Sequence, residues 1–312
     1  MMSTTLEHSE LAVAAGSAAT SESNSRRCVV FATNGSAEAD AALQFAAALA
    51  SREGMLLRVL AVLEPLPAIP AQPAGVGWHI AIETERSERI LDRVRSELSL
   101  LGKPPAAETC MLVGSPGATI AAAAREWEAN YVIVGAGRHG AVERLLTGDT
   151  VMRVMRRAAS PVIAVPASGG GLPCNGVVAI DFGEASHAAA HSAAEVIGDG
   201  VLHILHIRPE IDLPATDPTA WSEVYESGAQ SLMTRIAEEL KASHPHVRTT
   251  TTLLQGHVPA VLLHYAEHVT ADLIAVGQHG HGAVDRFLFG TVAQAVVRSA
   301  RCAVLVAPPA TK

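Results

Sequence analysis

Apolar residues in this chain come in short unbroken runs, and between the runs the pattern changes to the helical period. Runs at residues 28–33, 55–63, 109–113, 131–135 and 161–165 are rich in Val, Ile, Leu and Ala, with little polar alternation. Such runs predict short strands that are apolar on both faces, as in a parallel sheet. Residues 37–50, 80–101, 117–129 and 149–158 carry helix formers and predict helices between those strands. The series then begins again, with strand runs at 177–181, 201–207, 247–254, 272–276 and 302–307. Strands that alternate with helices imply βαβ crossovers, hence a parallel sheet covered on both sides. The expected fold class is α/β: two tandem doubly wound, Rossmann-like domains, each a five-stranded parallel sheet with helices on both faces. Ligands of such folds bind beyond the carboxyl ends of the strands, where the strand order reverses.

The second series copies the first. His139-Gly-Ala-Val-Glu-Arg-Leu-Leu-Thr-Gly148 matches His281-Gly-Ala-Val-Asp-Arg-Phe-Leu-Phe-Gly290, and without gaps Tyr131-Val-Ile-Val-Gly135 falls on Leu273-Ile-Ala-Val-Gly277. Pro161-Val-Ile-Ala-Val-Pro166 likewise falls on Ala303-Val-Leu-Val-Ala-Pro308. A repeat of this length marks two copies of one domain. The expected boundaries are a disordered tail at 1–26, a first domain at 27–166, a Gly-rich linker at 167–175 and a second domain at 176–309.

Composition narrows the picture. The chain is 49% hydrophobic but only 4% aromatic, so its cores must be built from aliphatic side chains. A formal net charge of −8 argues against a nucleic-acid or anionic-membrane surface, which would need clustered Lys and Arg. No apolar run reaches the length of about 18 residues that spans a bilayer. Glu7 and Glu10 precede the Ala-rich stretch near the start, where an export signal would carry basic residues. The four cysteines, Cys28, Cys110, Cys174 and Cys302, form no Cys-x-x-Cys pair and fit reduced thiols in a cytoplasm.

The chemistry-bearing motif is Gly277-Gln-His-Gly280, nine residues, then Gly290-Thr291. It follows a strand and ends where a helix begins. Glycines let a phosphate chain approach the backbone. The helix start offers free N–H groups and the positive end of its dipole to an anion. The Thr291 hydroxyl adds a donor or caps the helix. Asp181 ends the first strand of this half at the same sheet edge, placed to accept from a ribose hydroxyl or a base or to cap a helix. The strand that begins Val201-Leu202 supplies a neighbouring wall.

This pattern resembles the ATP-binding signature of the universal stress protein family. The resemblance extends to Val-Ala-Ile-Asp181, Ala271-Asp-Leu-Ile-Ala-Val-Gly277 and Cys302-Ala-Val-Leu-Val, and covers both halves from about Arg27 to Pro309. It implies an adenine nucleotide, ATP with or without Mg, held by Asp181, Gly277, Gly280, Gly290 and Thr291. Backbone near Leu202, and His281 and Val292 at the loop border, are implied as further contacts. It also implies a stress-response nucleotide sensor or regulator with, at most, slow ATP hydrolysis. The alternative is an interaction scaffold that binds no nucleotide. No catalytic constellation is visible, since no Lys follows the glycines and no Ser-His-Asp set stands in a recognisable context.

The first half departs from the signature. The gapless match sets Arg138 against Gly280 and Asp149 against Thr291, and Asn34 stands where Asp181 would be. An Arg side chain would fill the phosphate space, so this half resembles the family's non-nucleotide-binding branch. Asp149 is expected at the start of its helix, capping it and pairing with Arg138. Histidines crowd the second half, among them His187, His191, His203, His206, His264 and His268. His203 and His206 point to opposite faces of a strand, and His264 and His268 lack a third ligand, so no metal set is expected. The last strand of each half, at 162–165 and 303–306, is an apolar edge that would be a liability unless covered. The two are expected to pair antiparallel about a pseudo-twofold axis, which makes the chain its own dimer and leaves a true homodimer open.

Overall fold

A computed structural model describes residues 27–64, 75–100, 105–137, 144–209, 218–280 and 289–310, with backbone alone at 75–84, 144–149 and 218–223. The first half runs β1 (Cys28–Thr33), α1 (Asp40–Glu53), β2 (Leu56–Leu63), α2 (Gly75–Leu100), β3 (Ala107–Val113), α3 (Pro116–Glu126), β4 (Tyr131–Ala136), α4 (Arg144–Arg157) and β5 (Val162–Pro166). The second half repeats the order as β6 (Asn175–Ala179), α5 (Glu184–Ile197), β7 (Val201–Arg208), α6 (Pro218–Ser243), β8 (Arg248–Gln255), α7 (Val258–His268), β9 (Leu273–Gly277), α8 (Thr291–Ser299) and β10 (Ala303–Ala307).

All the strands join one ten-stranded sheet in the order β3-β2-β1-β4-β5-β10-β9-β6-β7-β8. Every neighbouring pair is parallel except β5 and β10, which run antiparallel with Leu305 opposite Ile163. The strand-edge pairing expected from the sequence is therefore present, and the order reads the same from either outer edge. Within each half the order reverses between the first strand and the fourth, which opens a crevice at the carboxyl ends of β1 and β4, and of β6 and β9.

Strand residues are buried on both faces. Val29, Val30 and Phe31 are at most 1% exposed. One core lies under α1, α2, α5 and α6 and a second lies under α3, α4, α7 and α8, each running through both halves. The Ala-rich faces of α1 and α5 let backbone approach sheet, with Ala46, Ala50, Ala190 and Ala193 fully buried. Both helices are 14 residues long and stop at a positive-φ glycine, Gly54 (φ 63°) or Gly198 (φ 67°). Contacts across the domain boundary are polar as well as apolar. Tyr131 Oη donates to Glu195 Oε2 at 2.6 Å, beside the Arg27–Glu195 ion pair. Arg52 also donates to the Glu195 carbonyl at the end of α5, where a cation meets the negative end of the dipole. All four cysteines are free thiols, and burial pushes Cys302 up to about 11.

Two expectations need correction here. Helix α4 begins at Arg144, so Asp149 lies well inside it and cannot cap its start. The Arg-Leu-Leu-Thr segment forms helix readily enough to carry the chain through Gly148, at a cost of about 1 kcal/mol for an interior glycine. The Arg138–Asp149 pair itself lies outside the described residues. Strand β6 ends at Ala179, so Asp181 sits in the turn beyond it rather than closing it.

Candidate functional site

The second-half site forms at the carboxyl edge of β6 and β9. Beyond β6 the chain turns sharply. Phe182 takes a left-handed conformation (φ 64°), and Asp181 Oδ1 accepts from Gly183 N at 2.9 Å. The Ser186 hydroxyl donates to the Gly183 carbonyl at 3.0 Å, which ties the first turn of α5 to the same bend. Asn34 makes the equivalent contact in the first half, accepting from Ser36 N at 3.0 Å. The turn thus needs only a side-chain carbonyl oxygen two residues back, and the second half places a charge there besides.

The glycines divide by role. A Cβ on Gly277 would lie 2.8 Å from Ser186 N and 2.9 Å from Ala185 C, so this glycine seats α5 against β9. Gly135 does the same more loosely in the first half, where a Cβ would lie 3.3 Å from Ala39 Cα. Gly280 is different. Among the described residues a Cβ there would meet only Asp181 Oδ2, at 3.7 Å, so this side of the glycine faces that carboxylate. Gly290 returns the loop to its base, donating to the Gln278 carbonyl at 2.9 Å, and its own Cβ would lie 3.8 Å from Gly280 N. Gly290 is then the N-cap of α8, whose first turn begins with exposed Thr291 and half-buried Val292. The N–H groups of that turn have no partner within the helix.

Gln278 anchors the base of the loop. It is 6% exposed, its N–H donates to the Ala307 carbonyl at 2.8 Å, and its side-chain amide donates to the Met155 carbonyl of α4 at 2.7 Å. Asp181, Gly277, Gly280, Gly290, Thr291 and Val292 are therefore gathered at one edge, while His281 lies outside the described residues. Leu202 is not part of the group. It is fully buried opposite Gly176, at the amino end of β7. Asp181 is five residues beyond Gly176, so Leu202 is roughly 16 Å along the strand from the site at about 3.3 Å per residue. The β7 residues that reach the carboxyl edge are His206 and Ile207, which the pairing of Ala179 with Leu205 places beside Ile180 and Asp181. Counting from the paired strand ends rather than from the first apolar residue finds them.

His206 is held from both sides. Its Nδ1 lies 2.7 Å from the Ile180 carbonyl, so Nδ1 carries the proton, and Nε2 then accepts from Tyr225 Oη at 2.7 Å. Phe182 covers the ring, with centroids 4.5 Å apart. These groups line a cleft of ≈ 670 Å³ between α5 and α6 with Asp181 at its rim. It opens on the sheet face opposite α7 and α8. His203 turns to that other face, towards Tyr265 of α7, as the strand alternation predicts. In the first half a cleft of ≈ 430 Å³ lies at the carboxyl edge, lined by Thr33, Asn34, Gly135, Thr150, Arg86 and Arg153.

Comparison with known proteins agrees with the fold. The model of the universal stress protein family matches residues 25–166 and again residues 176–308. A universal stress protein of Mycolicibacterium smegmatis is 29% identical over 294 residues, covering 90% of this chain and 97% of that protein. One from Mycobacterium tuberculosis is 26% identical over 288 residues, covering 89% and 96%. Among solved structures, a universal stress protein from Archaeoglobus fulgidus superposes with a TM-score of 0.63 at 20% identity, covering 91% of this chain and 97% of that one. Among the described residues, no helix is long and apolar enough to cross a membrane.

Proposed function

The chain belongs to the universal stress protein family, and on that premise we propose that its second domain binds ATP while its first is structural. The output is nucleotide sensing or regulation in a stress response rather than turnover. The observation that carries the reading is the close approach of Asp181, Gly280 and Gly290 to one another at the start of α8. Among the described residues Gly280 sets no side chain beside Asp181, which suits a ribose or phosphate approaching there, and the α8 N-terminus supplies N–H donors and a positive dipole end. Thr291 Oγ1 adds a donor, Asp181 accepts from a ribose hydroxyl, and Ile207 at the end of β7 gives an apolar wall for the base. When Mg accompanies the nucleotide it neutralises phosphate charge, and an acidic chain without a Walker-type lysine after the glycines benefits from that.

Mass spectrometry of nucleotide released from denatured, freshly purified protein, followed by titration calorimetry with ATP, tests this. One ATP per chain, lost in Gly280→Arg, is the expected result. No nucleotide and no heat would favour a scaffold without ligand. Two equivalent sites would overturn the division of roles. The first-half cleft gives that last outcome its physical basis, since it is open at the matching edge and carries two arginines.

A further inference from the structure

Helices α1 and α5 have the same length and stop at equivalent glycines, so Leu43 corresponds to His187 and Ala47 to His191. In the first half these positions are apolar and buried, Leu43 at 3% and Ala47 at 4% exposure. The second half sets two imidazoles there, one helical turn apart, facing Glu239 of α6. One potential ligand atom from each of His187, His191 and Glu239 lies within 4.8 Å of the others. His187 Nε2 is 3.7 Å from Glu239 Oε2, and the His244 ring, just past the end of α6, is 5.7 Å from that of His191. Among the described residues neither His187 nor His191 has a hydrogen bond that would account for a polar group on a helix seam.

We propose that His187, His191 and Glu239 form a binding site for Zn2+ or a similar late first-row divalent cation, closed by His244. Two imidazoles at i and i+4 on one helix, a carboxylate from the next and a third imidazole make the N/O donor set that Zn2+ takes in tetrahedral geometry. Metal–nitrogen bonds of about 2.0–2.1 Å bring ligand atoms to about 3.3 Å from each other. Half-buried side chains reach that by small rotations. The other oxygen of Glu239, Oε1, lies 3.6 Å from Arg235 Nε, which orients the carboxylate and leaves Oε2 towards His187. The site ties α5 to α6 beside the cleft at Asp181, and it does not depend on nucleotide binding.

The test uses the full chain, stripped with chelator and free of nucleotide. Zn2+ titration calorimetry should give one tight equivalent, and Co2+ should produce the intense visible bands of a tetrahedral complex. His187→Leu and His191→Ala carry the residues the first half tolerates at these positions, and each should weaken Zn2+ by more than the roughly 10–100-fold that loss of an outer-shell partner costs. Paired replacement of His264 and His268 by Ala on α7 should leave binding intact. Glu239→Gln, on an exposed helix face, gives an independent loss of affinity should either histidine variant melt early. No Zn2+ binding by the unaltered chain, or binding that survives both histidine variants, overturns the proposal.

Discussion

Gly277→Ala changes one hydrogen for a methyl where the backbone of α5 already stands. The new carbon would lie 2.8 Å from Ser186 N and 2.9 Å from Ala185 C and Cβ, well inside van der Waals contact. No flexible side chain can move aside, because two of these three atoms are main-chain atoms and the third is bonded directly to it. Helix α5 must lift from β9, which disturbs the packing of Ala189, Ala190 and Ala193, all fully buried. Overpacking of this kind costs about 1–3 kcal/mol. At about 2–4 °C per kcal/mol this lowers Tm by about 2–12 °C. Gly135→Ala is the internal control. Its methyl would lie 3.3 Å from Ala39 Cα, so a shift of a few tenths of an ångström accommodates it and the cost should be about 1 kcal/mol or less. Among the described residues Gly280→Ala meets nothing closer than 3.7 Å, and it should stay within about 0.5 kcal/mol of the parent while lowering ATP affinity. Urea titrations of the three variants by circular dichroism give the order directly. Equal stability of Gly277→Ala and Gly280→Ala would refute the division between a packing glycine and a ligand-facing one.

Two other changes probe the joint between the halves. Gln278→Leu removes the donor to the Met155 carbonyl near the end of α4 and should cost about 1–3 kcal/mol, read in denaturant curves followed by probes in each half. Coincident, unshifted curves would mean that the contact carries no stability. Tyr131 is held well above the usual phenol range, first by burial and then by the Glu195 carboxylate. The unfolded chain therefore loses this proton first, near pH 10. The stabilisation is complete below that pH and drains away as pH rises towards the folded value. Tyr131→Phe should flatten this alkaline loss in melts recorded from pH 8 to 11, and an unchanged slope would assign the loss to other groups.

Much of this architecture is written in local pattern. Doubly buried strands announce themselves as unbroken Val, Ile and Leu runs, and the repeat at His139 and His281 fixes how the halves correspond. What escaped depends on register. Leu202 opens an apolar run, yet the carboxyl edge of the sheet, where ligands of such folds bind, is reached at the other end of the strand, by His206 and Ile207. Gly277 sits inside a phosphate-like motif, but its missing side chain serves α5, a contact made ninety residues back in the chain. Asp149 was expected at a helix start because the matching Thr291 is one; α4 begins earlier because its preceding segment is itself helix-forming. The histidines of α5 could be counted in the sequence, whereas Glu239 came into view only when α6 folded across them.

The antiparallel seam between β5 and β10 has a consequence for inheritance. In a dimer of identical single domains every substitution arises twice, once in each partner, and must be tolerated in both. Joined in one chain, the two halves keep the same sheet and seam but mutate separately. Leucine can stand at position 43 with histidine at 187, and asparagine at 34 with aspartate at 181. Covalent linkage thus lets one half hold the scaffold constant while the other explores new chemistry, with the shared sheet binding both to a common fate.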